Sequence, residues 1–206
     1  MLTTWSDSDW KRRLAERLEP LLKSPRLEAE ISTYQGVPFA LFVYPPTAEL
    51  ELRRDARMLA TRIEQQTSRK VAQISMAELL WEAIRCAHPP DGKPLFEAER
   101  ALAHAEVEDR LEQTAEHIRS IVSEMSPIPK MIQARVAGLH PERHIVFLLR
   151  VGALYPAYRA HALLENLMYE VRIPTVLFYP GSRSGTNSLR FMDSLDALHS
   201  YRHKIL

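Results

Sequence analysis

The densest polar cluster in this chain lies between Tyr155 and His161, where Tyr158 and Arg159 follow a Tyr-Pro step. Pro156 suits the first turn of a helix, which places Arg159 and His161 near a helix N-terminus. A cation there opposes the helix dipole, so Arg159 is expected to meet a carboxylate or a bound anion. His161 is expected to be partly buried and structural, with a hydrogen bond that fixes its ring. The cluster predicts an anion or partner site, and the alternative is a solvated Arg159 beside a packed His161.

A second candidate is the loop 181–188, in which Arg183 lies between two glycines. A phosphate-binding P-loop needs GxxxxGK followed by Ser or Thr, and here the lysine is missing and the glycine spacing is wrong. No GxGxxG fingerprint for a dinucleotide follows the first apolar run either. An anion still has backbone amides and the Arg183 guanidinium available in this loop.

Other catalytic and metal-binding patterns are missing from the sequence. The eight histidines are scattered, and no HExxH, CxxC or GxSxG motif occurs. Cys86 lies in an apolar helical segment and is expected to pack as a small hydrophobic residue. We therefore expect no catalytic residues, no metal site and no cofactor.

Three short apolar runs position these candidates, and each leads into a Tyr-Pro step. Unbroken runs of this length are typical of strands buried on both faces of a mostly parallel sheet. Because proline removes a hydrogen-bond donor, the strand segments are expected to end at Tyr44, Tyr155 and Tyr179. The loops after parallel strands meet at one edge of the sheet, so this Tyr-Pro edge is the predicted site. The runs are 39–43, 145–149 and 175–178, and the expected structural residues of their loops are Pro45, Pro156, Pro180 and Gly181.

Apolar periodicity between these runs predicts the rest of the fold. The predicted helices lie at about 6–23, 48–66 and 76–87. With a short strand at 71–75, the chain alternates strand and helix in the manner of a parallel α/β unit. Right-handed crossovers would place 71–75 and 144–150 on opposite sides of 39–43. We predict a single α/β domain over 1–206, with a mostly parallel sheet flanked by helices and with 1–35 as a helical N-terminal extension.

A long charged helix is predicted at about 95–125, inserted between the two α/β parts. Its apolar residues are spaced alternately by four and three positions, as in a short coiled-coil seam. The helix either packs on the parent domain or leans outward to meet a partner. The seam residues are Val107, Leu111, Thr114, Ile118, Ile121 and Met125.

Composition favours a globular protein of a reducing compartment. The chain has 206 residues, 46% of them apolar, and no run of about 18 apolar residues that would predict a membrane span. A single cysteine excludes an internal disulfide, and the N-terminus does not resemble a signal peptide, so a cytoplasmic location is expected. The net charge of +1 argues against a dedicated nucleic-acid binder.

Charge is unevenly distributed along the chain. Residues 1–126 hold 17 basic and 21 acidic side chains, which gives −4, whereas 127–206 hold 10 and 5, which gives +5. The excess is expected at the Tyr-Pro edge, through Arg150, Arg159 and Arg183, where it would attract an acidic or phosphate-bearing partner. The alternative is that the helix-rich first part simply carries more solvated acids.

Several of these motifs together resemble the BrxB family. They are GALYPAYRAHALLENL at 152–167, PTVLFYPG at 174–181 and SLRF at 188–191, with FVYPP at 42–46 and Tyr201-Arg202 near the end. The resemblance implies a component of a BREX bacteriophage-exclusion system that has no established catalytic activity. It also implies association with other BREX proteins, above all with PglZ.

Two functional hypotheses remain open. The first is a non-catalytic adaptor that docks other BREX proteins through the Tyr-Pro edge, the 95–125 helix or both. The second is a degenerate nucleotide- or nucleic-acid-processing enzyme with Arg159, His161 and Arg183 around a phosphate, and direct contact with DNA stays an open question. The residues expected to bind the partner or the anion are Tyr44, Gly152, Tyr155, Tyr158, Arg159, Tyr179 and Arg183.

Overall fold

The computed structural model describes residues 9–32, 36–87, 97, 100, 107–123, 127–168, 170–184, 188–194, 198–199 and 203–206. The strands are β1 (Phe39–Tyr44), β2 (Lys70–Ser75), β3 (His144–Leu149), β4 (Thr175–Arg183), β5 (Ser188–Phe191), β6 (Leu198–His199) and β7 (Lys204–Ile205). The α-helices are α1 (Asp9–Arg13), α2 (Glu19–Lys23), α3 (Leu27–Ile31), α4 (Glu49–Gln66), α5 (Met76–Cys86), α6 (Val107–Ser123), α7 (Pro127–Val136) and α8 (Ala160–Leu167). A π-helical turn at Leu14–Leu18 joins α1 to α2.

Five parallel strands form the centre of the fold, in the order β2-β3-β4-β1-β7. The predicted α/β fold with a mostly parallel sheet flanked by helices is therefore confirmed. The predicted strand order is wrong, because β2 and β3 are neighbours and both lie on the same side of β1. β4 is inserted between β3 and β1, and it is buried from Thr175 to Gly181, as expected for a strand at the centre of a parallel sheet.

Alternation of side chains along the strands divides the core into two layers, one on each face of the sheet. On the first face, Leu41 and Leu177 pack with residues of α5, α7 and α8. On the second face, Phe42 and Phe178 pack with α4 and with the N-terminal helices. Their rings meet edge to face, with centroids 5.7 Å apart.

The N-terminal helices form part of the second layer. Apolar residues at helical spacing are buried both in these N-terminal helices and in α4, as the predicted helices at about 6–23 and 48–66 require. Residues 9–31, which fall within the predicted helical N-terminal extension, thus contribute to the second layer of the core. The buried residues are Trp10, Leu14, Leu18 and Leu21 in the N-terminal helices, and Leu52, Ala56, Leu59, Ala60 and Ile63 in α4.

Only one of the three strands ends where its Tyr-Pro step predicts. β1 stops at Tyr44, and Pro45 leads into a 3-10 helix at Pro46–Ala48. β3 stops at Leu149 rather than Tyr155, because Arg150 adopts left-handed backbone angles and a second 3-10 helix, Val151–Leu154, follows.

β4 continues through Pro180 and Gly181 to Arg183, which contradicts its predicted end at Tyr179. Its pairing with β1 ends at the Tyr44–Pro180 register position, and beyond that point it pairs antiparallel with β5. The Pro180 carbonyl accepts a hydrogen bond from the Met192 amide at 2.9 Å. The chain can run through proline here because the ladder uses the proline carbonyl and not an amide.

α6 lies within the range of the predicted 95–125 helix, and it packs on the first face of the domain. Ile121 and Val122 are buried and Ile118 is half-buried, in contact with residues of α5 and α7. Of the predicted seam, Thr114 is half-buried, whereas the side chains of Val107, Leu111 and Met125 lie outside the described part. In the part of the chain that the structure describes, no helix is both long enough and apolar enough to cross a lipid bilayer.

Candidate functional site

A cleft of about 270 Å³ opens at the carboxyl ends of the central strands. It lies where β1 leads into α4, where β3 has just ended, and where β4 turns from β1 toward β5. Sites in open parallel sheets form at this edge, so its position agrees with the predicted Tyr-Pro edge. The lining residues are Pro46, Glu49, Leu50, Arg53, Arg150, Gly152, Ala153, Pro180 and Met192.

Arg150 is the most unusual residue of this cleft. It follows β3 directly and has backbone angles of φ 59° and ψ 36°, in the left-handed region. Holding a non-glycine residue there costs on the order of 1 kcal/mol. Among the residues described, its half-buried guanidinium makes no hydrogen bond and no ion pair. Met192, also in the lining, has φ 55°, so strained backbone borders the cleft on two sides.

The α4 side of the cleft contributes one carboxylate and one further cation. The Glu49 carboxylate accepts a hydrogen bond from the buried Tyr44 hydroxyl through Oε2. Its other oxygen, Oε1, lies 3.9 Å from Nε of Arg53. Burial raises the pKa of Tyr44 well above its ordinary value, so the hydroxyl remains a donor. The hydrogen bond from the buried Tyr44 thus fixes the position of the Glu49 carboxylate. The cleft lining contains two arginines and one carboxylate.

An apolar anchor borders the charged groups. Leu50 lies in the first turn of α4, lines the cleft and is 72% exposed. On the other side, the backbone of Gly152 approaches β4 and β5 closely. A Cβ at Gly152 would stand 3.0 Å from the Met192 sulfur and 3.3 Å from Cγ of Pro180. A glycine at position 152 therefore allows the wall of the cleft to close around Met192 and Pro180.

Two of the predicted surface tyrosines are core residues. Tyr44 and Tyr179 are fully buried, so neither is available to a partner that docks on the surface. They also face opposite layers, because Val43 is the register partner of Tyr179 and successive side chains alternate between faces. Tyr158 is buried too, and its hydroxyl accepts a hydrogen bond from Nδ2 of Asn166 at 3.2 Å.

Tyr155 is half-buried and packs against the β5 ring of Phe191, with centroids 6.1 Å apart. The Tyr179 ring lies 5.4 Å from the same phenylalanine. Tyr155 thus belongs to the wall beside the cleft.

Pro156 is joined to Tyr155 by a cis peptide and lies before α8, which begins at Ala160. The predicted place of Pro156 in the first turn of a helix is therefore wrong.

Arg159 and His161 are placed differently from the expectation. Arg159 caps α8 with extended backbone angles, φ −89° and ψ 137°, and its side chain is exposed and outside the cleft lining. Helical geometry therefore does not relate its direction to that of His161. His161 is 32% exposed, and its Nε2 lies 3.2 Å from Oε1 of Glu165.

Burial is the main cause of the lowered pKa of the Arg13 guanidinium, and the charge of Arg183 adds a smaller contribution, so Arg183 lies near the N-terminal helices. Arg13 packs on Phe42 of the second layer, whereas α8 covers the first. The structure therefore does not bring Arg159, His161 and Arg183 together around one ligand. It instead joins Arg150 with Glu49, Leu50 and Arg53, which the sequence reasoning did not single out as a set.

Metal chemistry has no evident site in the region that the structure covers. The described residues contain no group of three or more His, Cys, Asp or Glu side chains that could hold a metal ion. His140 and His144 are neighbours, with ring centroids 6.3 Å apart, and the His140 amide donates a hydrogen bond to Nδ1 of His144 at 3.1 Å.

Fold and cleft together define a small α/β domain with a cleft at the strand ends whose lining includes two arginines and one glutamate. The family model described as BREX protein BrxB matches residues 72–206. The chain therefore belongs to the BrxB family, as the sequence motifs indicate, and it is a component of a BREX system. A relative called BREX protein BrxB, from Bacillus cereus (strain H3081.97), is 24% identical over 191 residues, covering 90% of this chain and 93% of that protein. No solved structure matches the chain.

Proposed function

We propose that this protein is a non-catalytic adaptor of a cytoplasmic BREX defence system, and that it binds other BREX proteins, chiefly PglZ. The observation that carries the proposal is the surface at the strand ends. There Arg150 lies beside Arg53 and the exposed Leu50. Arg150 is half-buried, and its guanidinium makes no ion pair among the residues that the structure describes. Arginine is enriched among the residues that anchor protein interfaces, and the adjoining exposed leucine adds apolar surface that a partner can bury.

The family supports the same conclusion. A BREX component has the other BREX proteins as its natural partners. Cys86, the single cysteine of the sequence, is exposed and is not packed as a small hydrophobic residue as expected, and an exposed thiol is compatible with a reducing compartment.

The enzymatic alternative has weaker support. A degenerate nucleotide-binding site needs several donors around one phosphate, but Arg183 lies near Arg13 of the N-terminal helices, whereas Arg159 and His161 lie at the start of α8. What remains in its favour is the cleft itself, since Arg53 and Arg150 can both attract an anion. Thermal-shift measurements with nucleotides and with DNA test this alternative, because a ligand that binds only the folded state raises the melting temperature.

The adaptor proposal is tested by reconstitution. Each BREX protein of the same gene cluster is purified, mixed with this chain and analysed by size-exclusion chromatography. We expect co-elution with PglZ and a complex that survives dilution to micromolar concentration. A chain that elutes alone with every component contradicts the proposal.

A further inference from the structure

We propose that the strand-end cleft is a receptor for an acidic side chain of a protein partner, flanked by an apolar residue that packs on Leu50. This inference rests on the proposed adaptor function and adds the chemistry of the contact. The occupant is a short segment of the partner in which Asp or Glu adjoins an apolar side chain. Its carboxylate lies between Arg53 and Arg150.

Charge complementarity is the first argument. The cleft holds two guanidinium groups and one carboxylate, and that carboxylate already accepts a hydrogen bond from Tyr44. Arg53 has only a distant contact of 3.9 Å with Glu49, and Arg150 has no described ion pair. An incoming carboxylate can therefore be bound by guanidinium donors in bidentate geometry, which is among the stronger hydrogen-bonded arrangements in proteins.

The size and composition of the cleft favour a protein side chain over a free nucleotide. Its volume of about 270 Å³ is below the range of roughly 300 to 1,000 Å³ that is typical of small-molecule pockets. Glu49 within the lining would repel a doubly charged phosphate more strongly than a singly charged carboxylate. Leu50 at the rim offers an apolar contact that a free anion would not use.

The backbone of Arg150 supplies the second argument. Left-handed angles at an arginine are unfavourable for the fold, and strained residues of this kind are concentrated at binding sites. Glycine adopts these angles without strain. Arg150→Gly therefore removes the guanidinium and relieves the backbone at the same time, so a loss of binding in this variant cannot be attributed to unfolding.

The experiment measures the affinity of the full chain for purified PglZ at two salt concentrations, about 50 mM and about 300 mM. The Debye length is longer than about 10 Å at the first concentration and shorter at the second, so charge–charge attraction is screened more strongly at the second. The cleft variants are Arg150→Gly, Arg53→Gln and Leu50→Ser. The matched controls on the same helix are Arg57→Gln and Met58→Ser, which alter an exposed arginine and an exposed apolar residue outside the lining. Inorganic phosphate and ATP are tested separately by thermal shift.

We expect each cleft variant to bind about tenfold more weakly at low salt and the controls to stay within about twofold of the original chain. Arg150→Gly should keep or raise the melting temperature and should lose most of the salt dependence. Unchanged binding in the cleft variants, with a wild-type complex present, would overturn this inference and leave the adaptor function standing. A thermal shift with phosphate that disappears in Arg150→Gly, without any change in PglZ binding, would also overturn it in favour of a free anion. No complex with the wild-type chain would overturn both.

Discussion

The buried guanidinium of Arg13 donates a hydrogen bond to the carbonyl oxygen of Val43, with Nη2 and O 2.8 Å apart. A second bond of the same length runs from Nη1 to the carbonyl of Leu206. The guanidinium carbon also lies 5.4 Å from the centroid of the Phe42 ring. Arg13 therefore joins the N-terminal helices to the end of β1 and to the chain beyond β7, and burial lowers its pKa to about 10.

Replacing Arg13 should destabilise the whole domain. Arg13→Met keeps most of the apolar stem but removes both bonds to carbonyl oxygens, and we expect a loss of about 2 to 3 kcal/mol in the free energy of unfolding. The control is Arg12→Met, since Arg12 is exposed and its hydrogen bonds within the described residues go to Asp9 of its own helix. Urea denaturation followed by tryptophan fluorescence measures both. Equal midpoints for the two variants would show that Arg13 is dispensable to the core.

Glu19 provides a test of acid stability. Its carboxylate accepts a hydrogen bond from Arg62 Nη2 at 2.7 Å and another from Nε at 3.0 Å. These bonds, opposed by burial and aided by Lys23, lower the pKa of Glu19 from 4.5 to about 2. The contribution to stability is therefore complete above pH 4.5 and is lost as the pH falls through about 2.

We expect Glu19→Gln to lower the free energy of unfolding at pH 7 by on the order of 1 kcal/mol. The difference between Glu19→Gln and the original chain should shrink as the pH is lowered from 5 toward 2. The surface pair of Glu51 with Lys11 is a matched comparison, and Glu51→Gln should have a smaller effect because both side chains are more than half exposed. If the difference in the free energy of unfolding between Glu19→Gln and the original chain stays constant over this pH range, the lowered pKa of Glu19 is contradicted.

Local sequence pattern predicted the elements better than their arrangement. The apolar runs at 39–43, 145–149 and 175–178 are strands, and helical spacing identified the buried face of α4. Local pattern does not predict the order of the strands in the sheet. The central position of β4 depends on its pairing with β1, between residues more than a hundred positions apart in the sequence. The extension of β4 through Pro180 depends likewise on β5, which a rule about proline alone does not include.

The candidate site illustrates the same limit. Arg150 was named as a cation of the strand-end edge, and it lines the cleft. Glu49, Leu50 and Arg53 were not recognised, because their relation to Arg150 arises only when α4 begins beside the end of β3. A usable signal was present, since a helix that begins directly after Pro45 and Pro46 must place its first turn at the strand ends. The burial of Tyr44 and Tyr179 also followed from alternation within strands that are buried on both faces.

Gly181 should be the least replaceable glycine among those described. Its φ is 152°, and a Cβ there would overlap the carbonyl oxygen of Arg190 in the paired strand. We expect Gly181→Ala to lower the free energy of unfolding by about 2 kcal/mol or more. Gly138→Ala is the control, because nothing lies within 4 Å of a Cβ at that position. Thermal denaturation of both variants measures the difference, and a Gly181→Ala variant as stable as Gly138→Ala would mean that β4 and β5 do not pair as described.

The final prediction concerns His203, which precedes β7 and packs against Phe39, with ring centroids 6.1 Å apart. Both ring nitrogens are buried and have no hydrogen-bond partner within the described residues. Burial, helped by the nearby charge of His161, lowers the pKa of His203 from 6.5 to about 4. Between about pH 6.5 and pH 4, His203 is therefore protonated in the unfolded chain but neutral in the folded protein.

Stability that depends on neutral His203 is complete above pH 6.5 and declines as the pH falls from 6.5 toward 4. His203→Gln cannot titrate, so we expect its urea midpoint to fall less than that of the original chain between pH 7.5 and pH 5. Between pH 8.5 and 7.5 the two slopes should agree, which serves as an internal control because His203 is neutral in both states there. Parallel pH profiles down to pH 5 would show that His203 does not cause the acid sensitivity, whatever the absolute stability of the variant.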